Sequence, residues 1–464
     1  MDDVIAQLRN ACGEDALLTG DDLHGRAAGI WRPDTIRAKA LVRPRDTTGV
    51  SRALAVCHAN GQRVVTHGGL TGLVGGALTE PTDVVLSLER MNRIEAIDPI
   101  DRTMTVQAGA VLQTVQEAAD AAGLLFPLDL GGRGSATIGG NISTNAGGNR
   151  VIRYGMARDS VLGVEAVLAD GTVVSSMNQM IKNNAGYDLK QLFIGTEGSL
   201  GVVTRAVLRL REKPLSHETL FVAVDEFGKL AQFLKVMDGQ LGGTLSAFEV
   251  MWNNFYRLVT TEPAKNQPPL PHDYPYYVLV EAMGGDPEHD HARIEAALAS
   301  AYEAGLIVDA VVAQSEAQGQ ALWAMRDDVA QTFRYAPNFT FDVSLRISKM
   351  GAYVDEVNGR LAALYPDFHN FTFGHMGDGN LHFVISVGSR DAKDRHAVEQ
   401  CVYEPLAAIA GSVSAEHGVG FEKKPYLGLS RSTAEIDLMR TVKRALDPKG
   451  ILNAGRIFDV EASA

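Results

Sequence analysis

Apolar and polar positions along the chain fall into two regimes that meet near residue 212. In the first, short β-branched runs alternate with helical repeats. Arg63-Val64-Val65-Thr66, Asp83 to Leu88 and Arg102 to Ala108 read as strands, and Val111 to Ala122 sets apolar residues at helical spacing. Asp46 is placed to cap a helix through Ala59, with Gly61 where a C-terminal glycine belongs. Val161 to Val174 reads as a hairpin turning tightly on Asp170-Gly171, and a further strand spans Val202 to Leu210. Charge and proline at Arg211-Glu212-Lys213-Pro214 mark a boundary. Beyond it, amphipathic helices are expected around 226–240, 290–304, 314–335 and 350–365, with a last one over 432–446. Five prolines between Glu262 and Pro275 make that stretch a loop.

The length, 464 residues, accommodates two or three domains. With 45% hydrophobic and 21% charged residues, wholesale disorder is excluded. The balance of 43 basic against 56 acidic side chains, 43 − 56 = −13, argues against nucleic acid and against an anionic membrane surface. No apolar run reaches a membrane-spanning length, and the start MDDVIAQLRN lacks a secretory pattern. Cys12, Cys57 and Cys401 are isolated, without a C-x-x-C pair, as befits inert thiols in a reducing compartment. The expectation is a soluble, cytoplasmic protein with no integral membrane segment.

Glycine changes the picture, at 47 of 464 residues, about 10% against the usual 7% or so. Much of the excess sits in three loops. The first is His67-Gly68-Gly69-Leu70-Thr71-Gly72, directly after a strand. The second runs from Gly131 to Gly148 with seven glycines in 18 residues, interleaved with Thr137, Asn141, Ser143, Thr144 and Asn145. The third is Gly195-Thr196-Glu197-Gly198-Ser199-Leu200-Gly201-Val202-Val203. Bare backbone amides with short hydroxyl and amide donors between them form concavities that bind phosphate oxygens, which suits a pyrophosphate cofactor. A G-x-G-x-x-G fingerprint, a G-x-x-x-x-G-K-[ST] loop and a G-x-S-x-G elbow are all missing from the sequence.

In order and spacing, these loops and the downstream Gly186-Tyr187-Asp188-Leu189 resemble the FAD-binding domain of the vanillyl-alcohol-oxidase superfamily. The resemblance is closest to its FAD-dependent D-2-hydroxyacid dehydrogenases, which oxidise D-lactate, D-2-hydroxyglutarate or glycolate, and it extends over nearly the whole chain. It implies an α+β protein: a two-subdomain FAD-binding domain over 1–212, and a cap domain over 213–420 with a mostly antiparallel sheet. A helical tail over 421–464 would return to the first domain. By that resemblance His67, Gly68, Gly69, Leu70, Thr71 and Gly72 clasp the FAD pyrophosphate. Thr137, Gly140, Asn141, Ser143, Thr144 and Gly147 surround the flavin side, Val202 and Val203 flank the adenine-ribose part, Glu197 is a further cofactor-binding residue, and Asn453 returns to the isoalloxazine. The family loop often carries asparagine where Leu70 stands. Covalent members carry a linking histidine where Leu70 and Thr71 stand, so non-covalent FAD is expected.

In the second regime, Phe373-Gly374-His375-Met376-Gly377-Asp378-Gly379-Asn380-Leu381-His382-Phe383 is symmetric about Asp378-Gly379. A two-residue turn there would set His375 directly opposite His382, close enough for two imidazoles to share a metal ion. Glu416, beside His417, could supply a carboxylate. Two histidines and a carboxylate suit Zn²⁺, Mn²⁺ or Fe²⁺, and the sequence does not choose among them. The family resemblance assigns His375, His382 and Glu416 as metal ligands, zinc foremost, and His417 as catalytic base.

Arg326 matches the family's substrate-carboxylate arginine. Members that take five-carbon diacids offer further polar groups where Ala330, Thr340 and Val384 stand here, so D-lactate or another small 2-hydroxy acid is favoured. Arg346 could receive a distal acid group and keeps D-2-hydroxyglutarate or D-malate open. Electrons would pass to a separate acceptor such as an electron-transfer flavoprotein, a cytochrome or a quinone. Two rivals stand beside this reading: a metal-independent flavin oxidase, and a non-catalytic flavin-binding subunit of a glycolate-oxidase-like complex. A homodimer is left open.

Overall fold

The strand-forming runs of the first half pair into two separate sheets over a shared core. The computed structural model describes residues 2–30 and 34–460. Strands β1 (Leu17–Leu18), β2 (Ala40–Val42), β3 (Val64–His67) and β4 (Val84–Ser87) make one sheet, ordered β1-β2-β4-β3, with β2 and β3 both parallel to β4. Next along the chain come β5 (Ile94–Asp98), β6 (Thr103–Gln107), β7 (Leu124–Leu125), β8 (Val161–Val167), β9 (Val173–Ser176), β10 (Val202–Arg209) and β11 (Arg211–Glu212). An antiparallel sheet is ordered β5-β6-β10-β8-β9, and β7 pairs with β11. Val64 and Leu86 of the first sheet and Val106, Val164 and Leu208 of the second lie in one apolar cluster. Two parallel strands need a crossover connection, and the helix Thr47–Ala59 supplies it between β2 and β3. Its first turn is capped as expected, with Asp46 accepting from the Gly49 N–H at 2.8 Å.

The hairpin β8–β9 turns differently from expectation. The Leu168 N–H donates to the Thr172 carbonyl, so the loop is Ala169-Asp170-Gly171, three residues, with Gly171 at φ +91.

The second unit holds β12 (Ser216–Val224), β13 (Leu245–Trp252), β14 (Tyr276–Gly284), β15 (Asp309–Val312), β16 (Phe339–Ser344), β17 (His369–His375) and β18 (Asn380–Ser386). They form one sheet in the order β15-β12-β14-β13-β17-β18-β16, with every pairing antiparallel. The helix expected over 314–335 stops at Asp327 and gives way to a 3-10 segment, Val329–Tyr335. Helices Asp2–Cys12 and Ala392–Ala408, the latter with Pro405 inside it, were not expected from the pattern.

The units divide the chain at other places than 212 and 420. One comprises Met1–Gly147, Met156–Lys213 and Glu416–Ala464, the other Gly148–Gly155 and Pro214–Ala415. Residues 148–155 join the second unit because Arg150 pairs with Glu281 at 2.9 Å and Arg153 donates to the carbonyls of Thr244 and Met283. Residues after 415 join the first because the Val419 and Gly420 N–H groups donate to the Glu197 carboxylate at 2.6 and 2.9 Å. Among the described residues, no helix is long and apolar enough to cross a membrane.

Candidate active site

In the first unit the glycine loops stack backbone on backbone. A Cβ on Gly69 would overlap the Ser135 carbonyl, and one on Gly68 would lie 2.6 Å from Thr137 Oγ1. Thr137 caps the short helix Ile138–Thr144 through the Gly140 N–H, and Thr144 Oγ1 donates to the Gly140 carbonyl at 3.1 Å. The Ser143 carbonyl accepts from the Glu197 N–H at 2.7 Å, joining the second loop to the third. Asn453 ties the third to β3: its Oδ1 accepts from the Thr66 N–H at 2.9 Å and its amide donates to the Glu197 carbonyl. Val202 and Val203 put their side chains into the core.

Two of these residues serve the loops themselves. His67 Nε2 meets the Ala77 carbonyl at 2.9 Å, and burial pushes the imidazole down to about 4, so the neutral ring donates that bond and closes the loop. Leu70 adopts φ +57, a left-handed conformation that asparagine tolerates better than leucine. That is a backbone reason for the asparagine common at this place in the family. Glu197 is half-buried by surface exposure, and loss of solvent around its carboxyl pushes that group up although the two backbone N–H groups oppose the shift. The fit to a dinucleotide cofactor rests on two orphaned groups. Asn141 Nδ2 and Thr66 Oγ1 are buried here without a hydrogen-bond partner.

In the second unit one face of the sheet carries a file of polar side chains. Directly opposed residues of antiparallel strands share a face. Glu281 faces Ala247; Glu249, two residues on, faces His375; Phe373 faces His382, and His382 faces Asp342. The expected opposition of His375 and His382 is therefore corrected. The turn is Met376-Gly377-Asp378-Gly379, four residues rather than two, and it sets His375 against Asn380 in the ladder's register. The shift is an even number of residues, so both histidines keep the same face. They meet on the diagonal, with ring centroids 5.1 Å apart. Donor atoms of His375 and His382 lie within 4.8 Å of each other, as do those of His382 and Asp342.

The file is held by further buried partners. Glu249 accepts from His375 Nδ1 at 2.7 Å and from Arg326 Nε at 2.9 Å. Burial alone would push its carboxyl up, but the His375 imidazole and the Arg326 guanidinium hold it below the usual value. Arg326, on the helix Glu316–Asp327, lies over the Phe373 ring at 5.1 Å and is 4% exposed, so it is no solvated helix arginine. Glu281 accepts from Arg150, from Ser246 Oγ at 2.8 Å and from Trp323 Nε1 at 3.2 Å. Asp342 accepts from Asn380 Nδ2 at 2.8 Å and from the Ala415 N–H at 3.1 Å. Arg346 is exposed at the start of a 3-10 turn.

Sequence reading missed Glu249, Glu281 and Asp342. The one signal each gave was a lone acid within an apolar strand, as in Phe248-Glu249-Val250. Glu416 and His417 belong to the first unit, where a Cβ on Gly147 would come within 2.5 Å of Glu416 Oε1.

Residues 38–176 match the FAD binding domain family, and residues 213–457 match the FAD linked oxidases, C-terminal domain. The D-2-hydroxyglutarate dehydrogenase of Xanthomonas citri pv. viticola is 40% identical over 92% of this chain and 90% of its own. The mitochondrial D-2-hydroxyglutarate dehydrogenase of Bos taurus is 38% identical over 92% of this chain and 78% of its own. A putative mitochondrial D-lactate dehydrogenase of Schizosaccharomyces pombe is also 38% identical, over 90% of this chain and 81% of its own. In fold, p-cresol methylhydroxylase with substrate bound superposes with TM-score 0.80 at 14% identity, over 100% of this chain and 98% of that one. Alkyldihydroxyacetonephosphate synthase gives 0.76, also at 14%, over 98% and 85%. The chain thus belongs to the FAD-dependent D-2-hydroxyacid dehydrogenases, oxidoreductases of the FAD-linked oxidase family on the vanillyl-alcohol-oxidase fold.

Proposed function

We propose that the protein oxidises a short D-2-hydroxy acid, D-lactate or one of similar size, to the 2-oxo acid. It would use non-covalent FAD and a divalent cation, zinc before manganese or iron, held by His375, His382 and Glu416. The observation that carries this reading is the polar file on one sheet face, with two imidazoles at 5.1 Å and a buried arginine beside them. Bound FAD supplies the acceptor for the C2 hydride, and the cation supplies the Lewis acidity that eases loss of the hydroxyl proton.

The chain's own residues do the rest. Arg326 takes the substrate carboxylate, as a buried guanidinium over Phe373, the residue that faces His382. His417 accepts the hydroxyl proton, a task that suits imidazole near neutral pH. Glu416 and His417 follow Ala415, whose N–H donates to Asp342 at 3.1 Å. Non-covalent FAD accords with His67, whose ring is committed to the Ala77 carbonyl. Electrons would leave through a separate carrier.

Chain length is argued from Val384. It lies two residues beyond His382 on the same strand, in an apolar cluster with Phe373, Leu322 and Met325. A second carboxylate buried against such a wall would stay unpaired, which is costly. D-2-Hydroxyglutarate is the second reading, favoured by the names of the relatives and by the exposed Arg346.

The test is anaerobic bleaching of the flavin band by D- and L-lactate, D-malate and D-2-hydroxyglutarate, before and after chelation. The expected result is fastest bleaching by D-lactate and its loss on metal removal. Fastest bleaching by D-2-hydroxyglutarate would move the assignment to the diacid. No bleaching by any of the four would leave a non-catalytic flavin protein.

A further inference from the structure

We propose that Glu249 is a positioning residue that orients the cation ligand His375 and the carboxylate clamp Arg326 with one carboxylate; this rests on the reading that those two residues have those roles. Glu249 stands directly opposite His375 in the β13–β17 ladder and is fully buried. Its two oxygens are divided between two tasks. Oε1 accepts from His375 Nδ1 at 2.7 Å. A neutral imidazole that donates through Nδ1 keeps its lone pair on Nε2, so this bond fixes both the tautomer and the ring's rotation. Oε2 accepts from Arg326 Nε at 2.9 Å and forms an ion pair with Nη2 at 2.7 Å.

With Nε and Nη2 both on Oε2 and the guanidinium carbon 5.1 Å from the Phe373 ring centre, the group is held in one orientation. His375 is 5% exposed and Arg326 4%, so water does not replace either bond. Only a carboxylate can do this. It presents two acceptor oxygens, whereas an amide presents one and turns a donor toward whichever partner remains. A single side chain would therefore orient both the cation ligand and the carboxylate clamp.

The experiment compares FAD-loaded wild type with Glu249→Gln and Arg326→Lys. Zinc affinity is measured by competition with a chromogenic chelator, KM and kcat with D-lactate, and flavin content by absorbance. Glu249→Gln is expected to weaken zinc binding about 10- to 100-fold, the usual span for a lost outer-shell partner, and to raise KM as well, with flavin content unchanged. Arg326→Lys is expected to raise KM alone. A Glu249→Gln protein that keeps either its zinc affinity or its KM overturns the proposal.

Should that variant lose its flavin, Glu249→Asp, which keeps the charge but withdraws both oxygens, is scored by the same readouts. A histidine nitrogen NMR spectrum of the wild-type apoprotein gives a reading that needs no variant. A ring held as the Nδ1–H tautomer is expected at mildly alkaline pH, and its absence overturns the proposal. Wild-type turnover that survives complete zinc removal would instead sink the cation reading itself, a different failure from a zinc-dependent enzyme indifferent to Glu249.

Discussion

Gly69 and Gly72 belong to one loop, yet the structure asks different things of them. A side chain on Gly69 would enter the Ser135 backbone, whereas nothing lies within 4 Å of one on Gly72. Gly69→Ala is expected to destabilise the fold by about 1–3 kcal/mol, the usual cost of overpacking, and to lose FAD. Gly72→Ala is expected to leave the apoprotein's thermal midpoint unchanged. A drop in its FAD affinity alone would show a backbone amide that the cofactor approaches. Calorimetry with flavin titration separates the two outcomes. The residue scale also shows what the sequence conceals. That glycines cluster is plain on reading, but which of them face backbone rather than cofactor depends on segments about 65 residues apart, as Gly69 and Ser135 are.

Among elements, the β17–β18 hairpin carries the clearest lesson. Its strands, its turn residues and the shared face of its histidines were legible from the alternation of side chains. The register was not, because Met376 to Asp378 forms a 3-10 turn and lengthens the loop to four residues. Asp378-Gly379 remains in the turn, with Gly379 at φ +91. Gly379→Ala would force a side chain into that left-handed conformation, at about 1–2 kcal/mol, and place it 2.9 Å from the Leu345 carbonyl. The expected outcome is weaker zinc binding at unchanged flavin content; unchanged zinc affinity would show that the turn does not set the histidines. Glu249 stayed hidden for another reason. A single acid in Leu245 to Trp252 looks like a flaw in a core strand until Arg326, 77 residues later, comes to meet it. The helix Ala392–Ala408 was obscured by its internal Pro405.

For the molecule as a whole, acid stability follows from buried ionisable groups rather than from the surplus of 13 negative charges. His67 is held at about 4 by burial, against an ordinary value of 6.5. Between those values the unfolded chain binds a proton that the folded chain refuses, so stability is full above about 6.5 and falls as pH drops toward 4. The gap amounts to about 3 kcal/mol. Glu197 works the other way, since its raised carboxyl takes a proton more readily when folded. The measurement is therefore a difference. His67→Gln, which keeps a donor for the Ala77 carbonyl, is expected to lose less thermal stability than wild type on going from neutral pH to about pH 5. An identical loss in both would remove His67 from the account.

The bond from the Thr66 N–H to Asn453 spans 387 residues, and that from Arg150 to Glu281 spans 131. At about 5–20 residues per second, a ribosome needs roughly 20–80 s to make the stretch between Thr66 and Asn453. Until then the glycine loops lack the amide that joins β3 to Glu197. Cofactor capture thus waits on the making of Asn453, and until then the nascent chain holds its phosphate cradle open.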